Sequence, residues 1–115
     1  MKQETVTGRA AMLAAVGRGQ SEQDFQREVI AYAKKRGWTV FFTWNSRHSP
    51  AGEPDLRLVR EKVVWAELKG YDARGRLGRL TALQSEAIGR LSAAGAEVYV
   101  WNPGDWEGIE RVLGV

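Results

Sequence analysis

The sequence predicts an α/β domain in which a mixed β-sheet is flanked by helices. Segments with a helical period alternate with short runs of β-branched and aromatic residues, in the order helix, three strands, helix, strand, helix. The second and third strands are close enough to form an antiparallel hairpin. A helix connects the third strand to the fourth, which predicts a right-handed parallel crossover. With 115 residues, 43% of them apolar, the chain suits a single domain with a modest core.

The amino-acid composition excludes several classes of function for this chain. The chain has no cysteine, which excludes a disulfide, a thiolate zinc site and a cysteine nucleophile. No apolar run approaches the ~20 residues of a membrane span, and the first residues lack the apolar region of a signal peptide. We therefore expect a cytoplasmic protein. The net charge of +3 is compatible with a nucleic-acid partner but does not prove one.

The first regular element is a helix that follows a poorly patterned start. Residues 1–20 are expected to form a mobile arm or a short helix, and residues 21–115 the main domain. Ser21 is the expected N-cap of a helix that runs to about Arg36, with Gly37 just beyond its end. The apolar stripe of this helix consists of Phe25, Val29, Ile30 and Ala33.

A continuous apolar and β-branched run, residues 38–44, predicts the first strand. Such a run is typical of a strand buried on both faces in the middle of a sheet. A polar loop follows, and Arg47 in it could contact a phosphate. His48 in the same loop could do so too, but a lone histidine there is more often simply solvated.

The next two strands carry three ionisable residues. The segments 55–59 and 63–69 predict a hairpin, and within the second strand Glu67 and Lys69 share a face about 6–7 Å apart. A three-residue loop would oppose Asp55 to Glu67, whereas a two-residue loop would put them on opposite faces. The chemistry of a gathered site favours the first register, so we predict Asp55, Glu67 and Lys69 on one face.

Two carboxylates beside an ammonium suit phosphodiester chemistry. Carboxylate oxygens bind Mg²⁺ or Mn²⁺, which usually keep several waters and take substrate phosphate oxygens. The metal can polarise a phosphoryl oxygen and lower the pKa of water, while an ammonium offsets charge at phosphorus. The alternative is an ordinary glutamate–lysine pair on a surface strand. Glu-x-Lys alone favours that alternative, but Pro54-Asp55 at the head of the preceding strand shifts the balance.

The second half of the domain predicts a helix, a strand and a short helix. Thr81 caps the helix, which runs to about Ala94. Gln84 stands at the spacing of a capping box, which explains it without any catalysis; alternatively, it points into the site. The apolar stripe comprises Leu83, Ala87, Ile88, Leu91 and Ala94.

A strand over residues 96–101 follows, and Asn102-Pro103 begins the last helix. In that helix Ile109, Val112 and Leu113 are expected to pack on the sheet. Trp101 and Trp106 are either core residues or a dimer contact.

These motifs together resemble a known superfamily. Gly52-Glu53-Pro54-Asp55-Leu56, then Glu67-Leu68-Lys69, then Gln84 are similar to the motifs of the PD-(D/E)xK nucleases, and more closely to those of the VRR-NUC (virus-type replication-repair nuclease) branch. The resemblance spans roughly residues 21–102. It implies a restriction-endonuclease-like core, with Asp55 and Glu67 as metal ligands and Lys69 as the catalytic lysine. It also implies that the main-chain carbonyl of Leu68 completes the metal shell and that Gln84 acts in the site.

Glu22 has two interpretations. An acid in the first helical turn favours the helix dipole. Alternatively, Glu22 falls almost on the apolar stripe and faces the sheet beside Asp55 and Glu67, where it would support the metal directly or through a water. The resemblance favours the second interpretation, because the family carries a glutamate on this helix.

The segment after Lys69 is a basic, glycine-rich loop. It carries Arg74, Arg76 and Arg79 against one aspartate, and such side chains bind a phosphate backbone without reading sequence. Tyr71 could stack on an unpaired base. A solvated connecting loop is the alternative interpretation.

The resulting hypothesis is a Mg²⁺- or Mn²⁺-dependent DNA endonuclease. The small chain resembles phage members of the family, which act on branched DNA such as Holliday junctions, so a phage or bacterial context and a homodimer with two active sites are expected. The first alternative is a non-catalytic nucleic-acid-binding module of the same fold. The second is an interaction domain in which the acidic cluster merely caps a hairpin.

Overall fold

The structure, a computed structural model, describes residues 19–42 and 52–115. Four strands form one sheet in the order β1-β2-β3-β4. The elements are α1 (Glu22–Lys35), β1 (Thr39–Phe42), β2 (Leu56–Val59), β3 (Val63–Leu68), α2 (Ala82–Ala93), β4 (Glu97–Trp101), a 3₁₀ turn (Pro103–Asp105) and α3 (Trp106–Leu113). The predicted fold class, a mixed sheet flanked by helices, is confirmed.

Helix α1 begins and ends where its sequence signals predict. The Ser21 hydroxyl accepts a hydrogen bond from the backbone N–H of Asp24 at 3.1 Å, which satisfies one of the free donors of the first turn. Past the other end, Gly37 has φ +88°, a left-handed conformation that glycine adopts without steric cost.

The predicted strand pairings are also confirmed. Strands β2 and β3 are antiparallel with Val59 opposite Val63, the register of a three-residue loop. That loop is closed by a 3.0 Å hydrogen bond from the Arg60 N–H to the Lys62 carbonyl. Strands β3 and β4 are parallel, as the helical crossover between them requires.

The core lies on one face of the sheet, under α1 and α3. Its sheet residues are Leu56, Leu58, Val64, Ala66 and Leu68, all fully buried. Both tryptophans left open by the sequence belong to this core, since Trp101 and Trp106 are 4% and 2% exposed. The Trp106 ring meets the rings of Phe25 and Tyr32 edge to face at 6.0 and 5.8 Å.

Strand β1 is not the central strand that its apolar run predicted. Within residues 19–42 and 52–115 it pairs only with β2 and lies at an edge of the sheet, and its residues alternate between exposed and half-buried. In the part of the chain that the structure describes, the helices that build the core cover one face, and Phe41 on the other face is 46% exposed. The rest of the predicted strand, including Trp44, lies outside the described residues.

Helix α2 is the thinly covered part of the fold. Its Thr81 cap and its bounds agree with the prediction, but none of its residues is buried and Leu83 is 55% exposed. The predicted apolar stripe is therefore at most half-buried. The stripe is poorly buried because α2 packs on β4, beside the sheet face that α1 and α3 leave uncovered.

The predicted phosphate contacts of Arg47 and His48 lie outside the described residues, and so do residues 1–18 of the arm or short helix predicted for residues 1–20. Within residues 19–42 and 52–115, no helix is long and apolar enough to cross a membrane.

Candidate active site

The hairpin register brings Asp55 and Glu67 to the same end of the sheet. Leu56 pairs with Ala66, so Asp55 and Glu67, the next residues outward, lie side by side. Asp55 also turns back onto the third strand, where its Oδ2 accepts a 2.8 Å hydrogen bond from the Leu68 N–H. The carboxylate is thus fixed by the backbone of the strand that carries Glu67.

Glu67 is the one charged side chain among the described residues that is buried, with 1% of its surface exposed. Its Oε2 accepts a 2.9 Å hydrogen bond from the Gln84 amide and lies 3.5 Å from the Lys69 ammonium. Its Oε1 is buried and has no hydrogen-bond donor in the described part of the chain. A buried acceptor without a donor is costly, which indicates that a cation or a ligand donor belongs beside it.

The electrostatics of the two carboxylates point the same way. Burial raises the pKa of Glu67 to about 7, the charge of Asp55 adds to the rise, and the Lys69 charge opposes it. Burial also raises the pKa of Asp55, against the hydrogen bond from Leu68. Both groups therefore lack enough positive charge nearby to keep them ionised easily, and a divalent cation between them would supply it.

Gln84 links Lys69 to Glu67. Its Oε1 accepts from the Lys69 ammonium and from the Thr81 backbone N–H, both at 2.9 Å. With two donors on the oxygen, the amide nitrogen faces Glu67. The Thr81 hydroxyl in turn accepts from the Gln84 N–H at 3.1 Å. Gln84 therefore caps its helix and contacts both Lys69 and Glu67 in one state.

Glu22 reaches the site because α1 begins directly against the end of β3. A Cβ added to Gly70 would lie 2.1 Å from the Glu22 backbone nitrogen, so only glycine permits this approach. The Tyr71 N–H also donates to the Gln20 carbonyl at 2.8 Å. The Glu22 side chain is exposed, yet its pKa is raised by partial burial and by Asp55, while Lys69 lowers it.

The side chains of these residues would supply only some of the ligands of a metal ion. Within the described ranges, no three His, Cys, Asp or Glu side chains are gathered closely enough to hold a metal ion. Asp55 and Glu67 would therefore be two ligands of an ion whose other ligands are oxygens from the main chain, water or substrate. That sharing is typical of Mg²⁺, and the donorless Oε1 of Glu67 fits it.

The basic loop is organised and lies against Lys69. Asp72 accepts from the backbone N–H groups of Arg74 and Arg76, both at 2.9 Å, and pairs with the Arg76 guanidinium at 3.3 Å. The second half of the loop runs back towards Lys69, and there the Gly78 N–H donates to the Gly70 carbonyl at 2.9 Å. The side chains of Arg74 and Arg79 are exposed, while that of Arg76 is partly neutralised by Asp72.

Sequence reasoning missed two residues that build the site. Thr81 contributes its backbone N–H to the Gln84 amide, and Gly70 admits the start of α1. Each carried a signal, since Thr81 stands at capping-box spacing from Gln84 and Gly70 follows Lys69 directly. Neither signal, however, reveals which tertiary partner the residue meets.

Comparison with known proteins supports the fold. No protein-family model matches the chain, and no curated protein matches it. A solved structure described as a "VRR_NUC domain protein" is similar, with a TM-score of 0.62 over 82% of this chain and 86% of that chain. The two sequences are 19% identical, so the likeness concerns the shared fold.

Proposed function

We propose that this protein is a Mg²⁺- or Mn²⁺-dependent DNA endonuclease of the PD-(D/E)xK type. The observation that carries the proposal is the buried Glu67 carboxylate, which lies beside Asp55 and is tied through Gln84 to Lys69. One of its oxygens has no hydrogen-bond donor among the described residues. The likeness in fold to the VRR_NUC domain protein supports the same conclusion.

Asp55, Glu67 and the Leu68 main-chain carbonyl are the proposed metal ligands. When bound, the metal supplies Lewis-acid polarisation of a phosphoryl oxygen and lowers the pKa of water. Glu22 supports this centre from the start of α1, through a water or a second ion.

Lys69 is the proposed catalytic lysine. An ammonium has three N–H donors; one meets Gln84 at 2.9 Å and another is directed to Glu67 at 3.5 Å. The third remains for the attacking water or a phosphate oxygen, where its charge stabilises the negative charge that grows at phosphorus. Gln84 keeps the ammonium in place, so its position is set before substrate arrives.

The nucleic-acid-binding residues of the proposal surround this centre. Arg74 and Arg79 present exposed charge to a phosphate backbone, and Arg76 contributes beside its Asp72 partner. Tyr71 is proposed to stack on a base, and Arg47 to contact a phosphate. The substrate is proposed to be branched DNA such as a Holliday junction, cut by a homodimer.

The test is cleavage of a labelled four-way junction and of a duplex of matched sequence, with Mg²⁺, Mn²⁺ or EDTA. Wild type is compared with Asp55→Ala and Lys69→Ala; Arg111→Ala, on the far side of the core, is the control. We expect metal-dependent cuts in wild type and control, and a loss of roughly a hundredfold or more in both site variants.

Each result has a distinct meaning. Cuts at the junction alone support branched-DNA selectivity, and equal cutting of both substrates keeps the nuclease but removes that selectivity. DNA binding that is indifferent to Mg²⁺ and to Asp55→Ala, without any cleavage, would leave a non-catalytic binding module.

A further inference from the structure

An arginine lies between two aromatic rings on the sheet face that carries the candidate site. The Arg57 guanidinium carbon is 4.6 Å from the centroid of the Phe41 ring and 5.7 Å from that of Trp65. Phe41 is opposite Arg57 in one strand pair, and Arg57 is opposite Trp65 in the next. We call these three residues the aromatic–arginine platform.

The platform continues the active site along the strands. Arg57 is two residues from Asp55, and Trp65 is two residues from Glu67, so both lie on the same face as the carboxylates. Two residues of strand correspond to about 6.6 Å. A strand of nucleic acid with a phosphate at the carboxylates would therefore reach the platform within its neighbouring nucleotides.

The platform is exposed and positively charged. Phe41 is 46% exposed and the Arg57 side chain is also exposed. None of the described carboxylates forms an ion pair with Arg57. The rings hold the guanidinium in place without cancelling its charge, which leaves a pre-oriented donor whose charge no described carboxylate balances.

We propose that the aromatic–arginine platform binds an unpaired nucleic-acid strand next to the active site. Arg57 donates to a phosphate of that strand, and Phe41 offers its exposed ring surface to a base. Aromatic rings beside an arginine are the features with which proteins hold single strands, and such stacking tolerates any base. The direction of the strand from the carboxylates rests on the proposed nuclease function; the binding itself does not.

The charge of the face favours nucleic acid over a second copy of the chain. A two-fold dimer centred on the platform would bring two Arg57 guanidinium groups together. Such an interface would bury like charges, which is unfavourable. A phosphate backbone instead provides the missing negative charge.

The experiment measures binding of a fluorescein-labelled oligothymidine, of an abasic strand of the same length and of a matched duplex, in EDTA so that no metal-dependent cut occurs. The proteins are wild type, Arg57→Ala, Phe41→Leu and the control Arg111→Ala. Arg111 is another exposed arginine, on α3 at the opposite side of the sheet, paired with Glu107. Thermal unfolding verifies that each variant is folded.

We expect both platform variants to bind the oligothymidine about tenfold more weakly than wild type, whereas Arg111→Ala stays within about twofold. Arg57→Ala should also flatten the dependence of log affinity on log salt by about 0.7, the effect of one lost phosphate contact on a single strand. Phe41→Leu should lower affinity for the abasic strand less than affinity for the oligothymidine, since the abasic strand has no base to stack and Trp65 still contacts Arg57.

Unchanged oligothymidine affinity in both variants would overturn the proposal. A shift from dimer to monomer in sedimentation, with strand affinity unaltered, would also overturn it and assign the face to a second copy. The two proposals can fail separately. If strand binding depends on the platform but the protein never cleaves DNA, the platform proposal stands and the nuclease proposal fails. If cleavage is normal but strand binding does not depend on the platform, the nuclease proposal stands and the platform proposal fails.

Discussion

At the scale of single residues, Glu67 has the most demanding environment in the described structure. It is a carboxylate with 1% exposure, one oxygen shared by Gln84 and Lys69, and one oxygen without a donor. A protein retains such a group at a cost in stability. The cost is explained if the same oxygens are needed for a cation that arrives with the substrate.

Gln84→Ala should slow DNA cleavage more than it destabilises the protein. The change removes the amide that joins Lys69 to Glu67. Loss of such an outer partner commonly costs about ten- to a hundredfold in metal affinity or activity, and the free energy of unfolding should fall by about 1–2 kcal/mol. The measurements are cleavage rate against Mg²⁺ concentration and urea unfolding.

Ser85→Ala, an exposed neighbour on the same helix, is the control for Gln84→Ala and should leave the cleavage rate unchanged. If Gln84→Ala cleaves at the wild-type rate, the amide is only a helix cap.

The pKa of Glu67 predicts that the metal-free protein becomes less stable as pH rises. Its pKa is about 7 in the folded protein against an ordinary 4.5, so between these values the folded state keeps a proton that the unfolded state has released. The stabilisation is complete below pH 4.5 and is lost as pH approaches 7, by up to about 3 kcal/mol. Asp55 and Glu22, whose pKa values are also raised, act in the same direction.

Urea unfolding in EDTA from pH 4.5 to 8 measures this loss. Glu67→Gln, which resembles the protonated side chain, should flatten the profile, and Mg²⁺ should restore stability at pH 8. A wild-type profile that rises between pH 5 and 7 would contradict the assignment.

At the scale of elements, the site depends on how closely α1 meets the end of β3. Gly70 has no room for a side chain, since an added Cβ would be 2.1 Å from the Glu22 nitrogen and 2.5 Å from its Cα. The approach brings the first turn of α1 near enough for the charges of Asp55 and Lys69 to shift the pKa of Glu22.

Gly70→Ala should therefore displace the start of α1. Overpacking of this kind costs about 1–3 kcal/mol, and cleavage should fall with it because Glu22 moves. Gly89→Ala is the matched control: it lies within α2 with nothing within 4 Å of its added Cβ. That change should stabilise the protein by up to about 1 kcal/mol. Urea unfolding of both variants is the test, and equal stability of the two would show that α1 is free to shift.

At the scale of the whole molecule, the site is assembled at one end of the sheet. The hairpin provides Asp55 and Glu67, the end of β3 provides Lys69, α2 provides Gln84 and α1 provides Glu22. Among the described residues, the helices that build the core lie on the other face. On the face next to the carboxylates, Phe41 and Arg57 are exposed, which an extended substrate requires.

If the protein is a homodimer with one active site in each copy, mixed dimers should cut only one strand of a junction. Tagged wild type is refolded or co-expressed with untagged Asp55→Ala, and the mixed dimer is isolated by its single tag. We expect nicked junctions from the mixed dimer and paired cuts from wild type, resolved on denaturing and native gels. A monomer in sedimentation that still makes paired cuts would refute the dimer.

The sequence by itself determined the local elements and the hairpin chemistry. Ser21 and Thr81 cap their helices because their hydroxyls satisfy free N–H groups nearby in the chain. Spacing alone left two hairpin registers open, and the chemistry of a gathered site favoured the 60–62 loop, which places Asp55 and Glu67 on a shared face. These properties follow from residues within about a dozen positions of one another, so pattern, spacing and side-chain chemistry together suffice to predict them.

Only the tertiary structure decided which face is covered and what each long-range partner is. The apolar run at residues 38–44 predicted a central strand, but β1 is at the edge and Phe41 is exposed. An apolar run shows that a strand can be buried on both faces, but it does not show whether a helix packs on each face. Likewise, Gln84 reaches Glu67 across 17 positions of sequence, and Gly70 matters through α1. Such contacts depend on the packing of whole elements, which no local pattern encodes.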